Sequence, residues 1–377
     1  MRVSPARVLH VFGKMDRGGA ESLVMTIYRA IDKNVIQFDF LVHSLTPGHF
    51  DEEIEQLGGR IFRIPAPGIS TLLRYCLNVA KTLKYQGPFA AIHSHVHFFS
   101  GVVMIIAASC HVPRRICHSH TARLPHAKTM SGSFYRTICR AAIRRFSTNH
   151  LGCSRETCEI LYGKHCWDDP RVEVIRNAIA MSAFKHSSTE CSPSGLPSGE
   201  EDVLVVHVGN FTPPKNHSFI LRVFEALLYR LPNARLLLIG DGPLRNGAEK
   251  LAIELGVSSR VNFLGSRSDV PDILSRCHVV LFPSLWEGIP VSLVEAQACG
   301  VPSVVSDVIN REVDLGIELL TRLKLSAPLD DWVEALCDSL GHEKPTWQVR
   351  ESAICRAGYD IQTVIARLEV LYGKVRS

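Results

Sequence analysis

The strongest constraint on the fold is a repeated alternation of short β-branched runs with longer amphipathic stretches. Parallel strands need a crossover connection, usually a helix, so this alternation is typical of doubly wound α/β domains. In the first half we predict strands at 8–12, 38–42, 60–64, 90–93, 115–118, 150–153 and 172–175. The alternation restarts with strands predicted at 203–208, 235–239, 261–264, 279–282 and 303–305. The pattern predicts an α/β protein with two parallel sheets.

A segment rich in Ser, Pro and Gly, at 185–201, separates the two halves. This composition is typical of interdomain linkers, and 377 residues suit two domains better than one. We therefore expect Rossmann-like domains at 1–184 and 202–355, followed by a C-terminal helix within 356–377 that packs back at the domain junction. The two domains would face a central cleft, because such sheets bind ligands beyond the carboxyl ends of their strands.

Charge is distributed unevenly along the chain. Residues 1–195 contain 24 Lys and Arg against 14 Asp and Glu, and no acidic residue lies between Gln56 and Arg155. A surface of one sign favours an anionic partner. Within this block Arg136, Arg140 and Arg144 recur every four residues and predict one stripe on a helix at 131–146.

A basic amphipathic helix can lie on anionic lipid, so we consider an anionic membrane surface as a partner of residues 131–146. A solvated helix packed on its sheet is the alternative. Nucleic acid is not an expected partner, because the block has no recognised binding motif.

Composition and segment lengths indicate a globular protein. The longest apolar run, 101–110, falls short of the roughly 18 residues that span a bilayer, and it predicts a buried helix. The N-terminal residues lack the pattern of a signal peptide. We expect a cytoplasmic protein, with peripheral contact on the inner face of the membrane as a further hypothesis. The 12 cysteines show no C-x-x-C spacing, which favours buried free thiols over a zinc site.

The most specific site pattern is Phe282-Pro-Ser-Leu-Trp-Glu-Gly-Ile-Pro-Val-Ser-Leu-Val-Glu295. A buried strand is followed by a loop, and Pro290 is predicted as the first residue of a helix. The positive end of that helix would present free backbone N–H groups suited to a phosphate. These N–H groups belong to Val291, Ser292 and Leu293.

Two carboxylates accompany the predicted helix: Glu287 in the loop and Glu295 about one turn inside. Two glutamates eight residues apart would by themselves indicate only a solvated helix face. Here they flank Gly-x-Pro after an apolar strand, which makes the pattern more specific. Carboxylates can accept hydrogen bonds from sugar or ribose hydroxyls.

This segment resembles the signature of the retaining family-4 glycosyltransferases of GT-B fold. The resemblance extends over nearly the whole chain, through segments in the expected order at 18–21, 208–217, 238–243 and 261–265. Segments 115–120 and 312–315 are similar to those of bacterial exopolysaccharide and capsule transferases. The resemblance implies a GT-B fold whose first domain binds the acceptor and whose second domain binds the nucleotide-sugar.

The resemblance also implies roles in the second domain. Glu295 would bind the ribose of the nucleotide, Glu287 the transferred sugar, and Lys215 the diphosphate. Lys215 and Glu287 would thus act both in donor binding and in catalysis. The remaining donor-binding positions would be Asn210, Gly288, Ile289, Pro290 and Val291.

In the first domain, His120 matches the histidine that the family places beside the sugar, and we predict it to be catalytic. Gly18 and Gly19 would let the backbone approach the donor phosphates, since glycine has no Cβ. The neighbouring His93, His95 and His118 are interpreted as structural.

The implied reaction moves a hexose-type sugar from a nucleotide diphosphate to a glycan or lipid-linked acceptor in surface polysaccharide synthesis. By family habit the donor is a UDP-sugar, with guanosine as the alternative nucleoside. The anomeric configuration would be retained, with the departing phosphate accepting the proton of the acceptor. No Asp-x-Asp occurs in the chain, so we expect no metal and no cofactor. Lys215 and helix N-termini would neutralise the leaving group instead.

One position departs from the family pattern, because Asn210 stands where Arg or Lys is usual. Losing a charged hydrogen bond to phosphate would cost roughly 1.5–3 kcal/mol. Arg245 or Arg267 could compensate for that loss. If neither does, the alternative is a non-catalytic nucleotide-sugar-binding protein of the same fold. A nucleotide-sugar 2-epimerase is a further alternative, whereas a dehydrogenase is disfavoured because no strand precedes G-x-G-x-x-G.

Overall fold

The computed structural model describes residues 4–16, 18–68, 70–121, 130–185, 196–197 and 201–373. The chain divides into two compact units, one formed by Met1–Ala178 with Ile361–Ser377 and the other by Ile179–Asp360. Of the predicted linker at 185–201, only Lys185, residues 196–197 and Glu201 lie within the described ranges.

The first unit alternates strands and helices throughout. Its elements are β1 (Ala6–Phe12), α1 (Gly19–Ala30), β2 (Ile36–Val42), α2 (Asp51–Gln56), β3 (Ile61–Arg63), α3 (Leu72–Gln86), β4 (Ala91–Ser94), α4 (Ser100–Ser109), β5 (Arg114–Ser119), α5 (Met130–Phe146), β6 (Asn149–Gly152), α6 (Arg155–Tyr162) and β7 (Val172–Val174). The strands form one parallel sheet in the order β3-β2-β1-β4-β5-β6-β7. This order places β1 and β4 at the point where the winding reverses, the usual ligand position in such sheets.

Burial in this unit follows the sequence pattern. Every residue of β2 is buried, as expected for a parallel strand covered on both faces. The apolar run predicted as a buried helix is α4, whose buried residues include Val103, Met104 and Ile106. Helices of the unit therefore cover the sheet with the apolar residues that the sequence spaces along them.

The second unit repeats the plan. Its elements are α7 (Ser182–Lys185), β8 (Val203–Val208), α8 (His217–Arg230), β9 (Ala234–Ile239), α9 (Arg245–Glu254), β10 (Val261–Gly265), α10 (Val270–Arg276), β11 (Val279–Phe282), α11 (Val291–Cys299), β12 (Ser303–Ser306), β13 (Leu320–Leu323), α12 (Leu329–Ser339) and α13 (Trp347–Ala357). The six-stranded sheet is parallel, in the order β10-β9-β8-β11-β12-β13.

Strand β13 is absent from the sequence prediction. Its four residues, Leu-Thr-Arg-Leu, are all partly exposed at the sheet edge, so they lack the continuous apolar run of the central strands. The other strands lie at the predicted positions, with ends that differ by at most two residues. The predicted pair of doubly wound parallel sheets is confirmed.

The last helix, α14 (Ile361–Tyr372), belongs to the first unit. Its buried residues include Ile365, Leu368 and Tyr372, and it packs against α1. None of the helices in the described ranges combines the length and apolar character needed to cross a membrane. The cysteines of these ranges form no disulfides and most are buried, in agreement with the prediction.

Candidate functional site

Three loops at the carboxyl ends of β8, β9 and β10 hold one another through their backbones. The N–H of Gly209 donates to the carbonyl of Ile239 at 2.8 Å, and the N–H of Gly240 donates to the carbonyl of Gly265 at 2.8 Å. Gly240 has a φ of +139°, and a Cβ there would lie 2.3 Å from the carbonyl oxygen of Gly209. Only glycine fits this approach, which fixes the start of the loop after β8.

The loop after β8 is also tied to the loop after β11. The N–H of Leu285 donates to the carbonyl of Pro214 at 2.8 Å. The side chain of Asn216 donates to the carbonyl of Pro283 at 3.2 Å. Asn216 has a left-handed backbone conformation, which asparagine tolerates better than most residues. These bonds bring the segment that carries Lys215 to the segment that carries Glu287.

Lys215 and Glu287 form an ion pair, with 2.8 Å between Nζ and Oε1. Their side chains are only 16% and 14% exposed, so solvent screens the pair weakly. Nζ of Lys215 also lies 4.6 Å from the ring centroid of Phe282. A Cβ at Gly209 would lie 2.8 Å from Cδ and Cε of Lys215, so this glycine makes room for the lysine stem. Gly209 was not predicted as a site residue, although its position directly after a buried strand was the available sequence signal.

Helix α11 begins one residue later than predicted. Pro290 is its N-cap rather than its first helical residue, because its ψ of 101° is extended. The N–H of Leu293 donates to the carbonyl of Pro290 at 3.1 Å, so the prediction that it is free was wrong. Within the described ranges, Val291 and Ser292 remain as the residues whose N–H groups face out of the helix end without a recorded backbone bond.

Glu295 lies in the second turn of α11. The residue keeps some exposed surface, but its carboxyl group is enclosed, and this burial raises the pKa to about 7. Of the two residues between Glu287 and Pro290, Ile289 is buried in the core of the second unit, whereas a Cβ at Gly288 would meet no atom within 4 Å. Ile289 therefore anchors the loop by packing.

Asn210 is exposed in the loop after β8. Neither arginine considered as its replacement is free: Arg245 pairs with Glu249 at 2.8 Å and Arg267 pairs with Asp269 at 2.5 Å. The structure therefore does not support compensation by either residue in the conformation described.

In the first unit, Gly18 is the N-cap of α1, and Gly19 is its first residue. A Cβ on Gly18 would lie 2.1 Å from a carboxylate oxygen of Glu21, whereas one on Gly19 would meet no atom within 4 Å. The absence of a Cβ at Gly18 thus leaves space for the Glu21 carboxyl group, which folds back over this residue. Burial raises the pKa of that Glu21 carboxyl.

His120 follows the last residue of β5 and lies in a group of five histidines, which we call the histidine cluster. Burial lowers the pKa of His120 to about 3, so its imidazole is neutral near pH 7. The cluster consists of His10, His93, His95, His118 and His120. His93, His95 and His118 were predicted to be structural, and His10 was not predicted to belong to the site. The signal was H-S-H at the ends of two strands, 93–95 and 118–120.

The basic stripe of α5 is largely occupied within the first unit. Arg140 donates to the carbonyls of Ile160 and Leu161, both at 3.0 Å, and Arg144 donates to the carbonyl of Tyr162 at 2.9 Å. These carbonyls form the end of α6, where cations are favourable. Two of the three arginines predicted to face lipid therefore cap a neighbouring helix.

Comparison with known proteins identifies the domains. Residues 18–178 match the glycosyl transferase 4-like domain, and residues 190–315 match glycosyl transferases group 1. The putative glycosyltransferase EpsF of Bacillus subtilis is 36% identical, over 99% of this chain and 97% of its own length. The capsular polysaccharide biosynthesis glycosyltransferase CapH of Staphylococcus aureus is 28% identical, over 77% of this chain and 78% of its own length.

Solved structures agree with this assignment of fold. Anabaena HepE in complex with UDP superposes with a TM-score of 0.75 at 19% identity, covering 97% of this chain and 98% of its own. HepE has also been solved with UDP-glucose. The two matched domains and the two doubly wound sheets define a glycosyltransferase. The chain belongs to the family-4 glycosyltransferases of GT-B fold and is related to enzymes of exopolysaccharide and capsule biosynthesis, as the resemblance implied.

Proposed function

We propose that this glycosyltransferase moves a hexose from a UDP-sugar to a glycan or lipid-linked acceptor in surface polysaccharide synthesis, with retention and without a metal. The observation that carries the proposal is the weakly screened pair of Lys215, in the loop after β8, and Glu287, in the loop after β11. The naming of CapH as a capsule enzyme and the complexes of HepE with UDP and UDP-glucose support the choice of pathway and donor.

The ion pair of Lys215 and Glu287 explains how one site can bind both the diphosphate and the sugar of the donor. Without donor, Lys215 and Glu287 neutralise each other at 2.8 Å. A diphosphate carries more negative charge than one carboxylate, so it would compete for Lys215 and free Glu287 to accept hydrogen bonds from sugar hydroxyls. Lys215 would then stabilise the charge that develops on the leaving diphosphate, with the helix N-terminus of α11 beside it. The departing phosphate would take the acceptor proton, which removes the need for a separate base.

The first experiment measures thermal stabilisation of the purified protein by nucleotides in the presence of a chelator. UDP and a UDP-sugar should raise Tm in a concentration-dependent manner, because a ligand that binds only the folded state stabilises it. Glu295→Ala should abolish the rise if this carboxylate holds the ribose. GDP tests the alternative base. A rise that requires Mg²⁺ would contradict metal-independent binding.

Asn210 supplies the matched comparison in the same assay. Asn210→Arg restores the charge that the family usually has, and should tighten UDP binding about 10- to 100-fold if the guanidinium reaches the phosphate. Binding that is undetectable in the natural chain and present in the arginine variant would favour the non-catalytic alternative. Release of UDP in the presence of an acceptor, and its absence in Glu287→Gln, then distinguishes transfer from binding alone.

Glu295 gives donor binding a predictable pH dependence. Burial raises its pKa from 4.5 to about 7, so the free protein holds this proton up to near neutrality. Its contribution to folding stability is fully present below pH 4.5 and is lost as the pH rises through about 7. Ribose hydroxyls that donate to the carboxylate favour its charged form and lower the pKa, so UDP binding should release a proton near pH 6.5 and tighten between about pH 5.5 and 7.5.

Calorimetry in buffers of different ionisation enthalpy measures this proton directly. The natural protein should release a substantial fraction of one proton per UDP, and Glu295→Gln should release none from this group. Equal proton release in the two proteins would assign the titration to another group.

The hypothesis of a membrane contact now rests on exposed apolar residues of α5 rather than on its arginine stripe. On α5, Phe134 and Ile138 are exposed by 70% and 51%, and they lie one turn apart. Exposed apolar residues beside basic ones favour binding to an anionic bilayer, where a lipid-linked acceptor would lie. Flotation with vesicles rich in phosphatidylglycerol should recover the natural protein at low salt, and the double variant F134S/I138S should remain unbound. No recovery of the natural protein would contradict the membrane contact.

A further inference from the structure

The histidine cluster of the first unit lies on one face of its sheet. Side chains two residues apart on a strand point the same way, so His93 and His95 share a face, as do His118 and His120. His10 of β1 pairs in register with His93 of β4, which brings all five rings together. Ring centroids of neighbouring members are 4.1–5.6 Å apart, for example 4.1 Å between His118 and His120.

Hydrogen bonds link three members in a row. Nδ1 of His10 lies 3.1 Å from Nε2 of His95, and Nδ1 of His95 lies 2.8 Å from Nε2 of His120. A neutral imidazole has one donor and one acceptor nitrogen. In each of these two contacts one nitrogen therefore donates its proton and the other accepts it. This row leaves Nδ1 of His120 buried without a hydrogen bond in the described part of the chain.

His118 is the least satisfied member. Its two ring nitrogens are buried, and neither has a hydrogen-bond partner that meets the usual distance and angle limits in the described ranges. A buried polar atom without a partner destabilises the fold, so a cluster with several such atoms is suited to a ligand that these atoms can bind. Unprotonated imidazole nitrogens are ligands for transition metals.

We propose that His95, His118 and His120 bind a divalent transition metal such as Zn²⁺. One nitrogen from each of these residues lies within 4.8 Å of the others. Three nitrogens around a tetrahedral zinc ion, at about 2.0–2.1 Å from it, lie about 3.3 Å from one another. Side-chain rotations can close that difference, and the ion would replace the proton between His95 and His120.

Access from solvent selects this triad over His10, His93 and His95, the second group of histidines with suitable spacing. Both His10 and His93 are buried. His120, by contrast, retains exposed surface at the end of its strand, which gives an ion a route of entry. His10 would then accept the remaining N–H of His95, which is the usual way in which an outer residue orients a metal-binding histidine.

Three histidines leave a fourth position of a tetrahedral ion open for water or a ligand. Because His120 is also the residue predicted beside the transferred sugar, metal binding would remove it from that role. The ion would then inhibit transfer, a consequence that rests on the proposed function. Binding of the ion to the three histidines does not depend on that function.

Metal binding is tested on the full-length protein after treatment with a chelator and its removal. Co²⁺ should produce the visible absorption bands of a tetrahedral site and saturate at one ion per chain. Zn²⁺ should displace it and compete with a chromophoric chelator with a Kd below about 1 µM. Saturation only above about 100 µM, or absence of the tetrahedral bands, would overturn the proposal.

Variants assign the ligands. His118→Gln and His120→Gln should each weaken Zn²⁺ binding about 100-fold or more, because each removes a ligand. His342→Gln, at an exposed histidine of the second unit, should leave it unchanged. X-ray absorption of the natural protein with Co²⁺ should count three imidazoles, a result that does not depend on the folding of any variant. Equal affinity in all folded variants would refute the site, whereas the UDP assay would be unaffected by either outcome.

Discussion

Replacing Lys215 with alanine is expected to lower kcat/KM for transfer about a thousandfold while the protein remains folded. The ammonium of Lys215 lies 2.8 Å from Glu287, and the lysine side chain is only 16% exposed. A cation from the solvent therefore cannot replace its charge at this position. Removal of one preorganised group that stabilises developing charge costs about 10²–10³ in kcat. Weaker diphosphate binding adds to the loss, because the same charge would hold the donor before the reaction.

The matched control is Lys324→Ala, which removes an exposed lysine from the same unit and should leave kcat/KM unchanged. Glu287→Gln separates the two roles of the pair: it should reduce kcat while UDP still raises Tm, because the amide no longer accepts sugar hydroxyls as a carboxylate does. The double variant K215A/E287A should lose less than the product of the single losses, since the two residues interact directly. Activity of folded Lys215→Ala within a few-fold of the natural enzyme would refute the proposed leaving-group role.

The central strands could be predicted from the sequence because parallel strands buried on both faces leave continuous apolar runs, as in β2 and β9. The edge strand β13 leaves no such run and was missed. The start of α11 was predicted one residue too early, because proline is common at the first helical position, whereas the extended ψ that makes Pro290 the N-cap cannot be read from the sequence.

The candidate site could be predicted only where one short segment carries it. Glu287 and Glu295 lie in a single motif, so their spacing could be recognised in the sequence. The contact of Glu287 with Lys215 depends on how the loops after β8 and β11 bind each other through Asn216 and Leu285, which sequence spacing does not show. The histidine cluster was missed for the same reason. It arises from the register of β1, β4 and β5, and register is a property of pairing between distant segments.

Gly240→Ala is expected to destabilise the second unit by about 2–4 kcal/mol and to impair UDP binding. Gly240 has a φ of +139°, where L-residues are strained, and its added Cβ would lie 2.3 Å from the carbonyl oxygen of Gly209. The clash involves backbone on both sides, so no side chain can move to relieve it. Displacement of Gly209 would also disturb the side chain of Lys215, because Cδ and Cε of Lys215 lie only 2.8 Å from the position of a Cβ at Gly209.

Gly247→Ala is the matched control, since this glycine lies in helix α9 and a Cβ there meets no atom within 4 Å. It should stabilise the protein by about 0.5–1 kcal/mol, because alanine loses less backbone entropy in a helix. Urea unfolding of the two variants measures both effects, and their opposite signs separate the local clash at Gly240 from any general effect of glycine replacement. If Gly240→Ala unfolds like the natural protein and binds UDP with equal affinity, the loop after β8 must move without penalty, and the fixed approach of Lys215 to Glu287 cannot be what positions the donor.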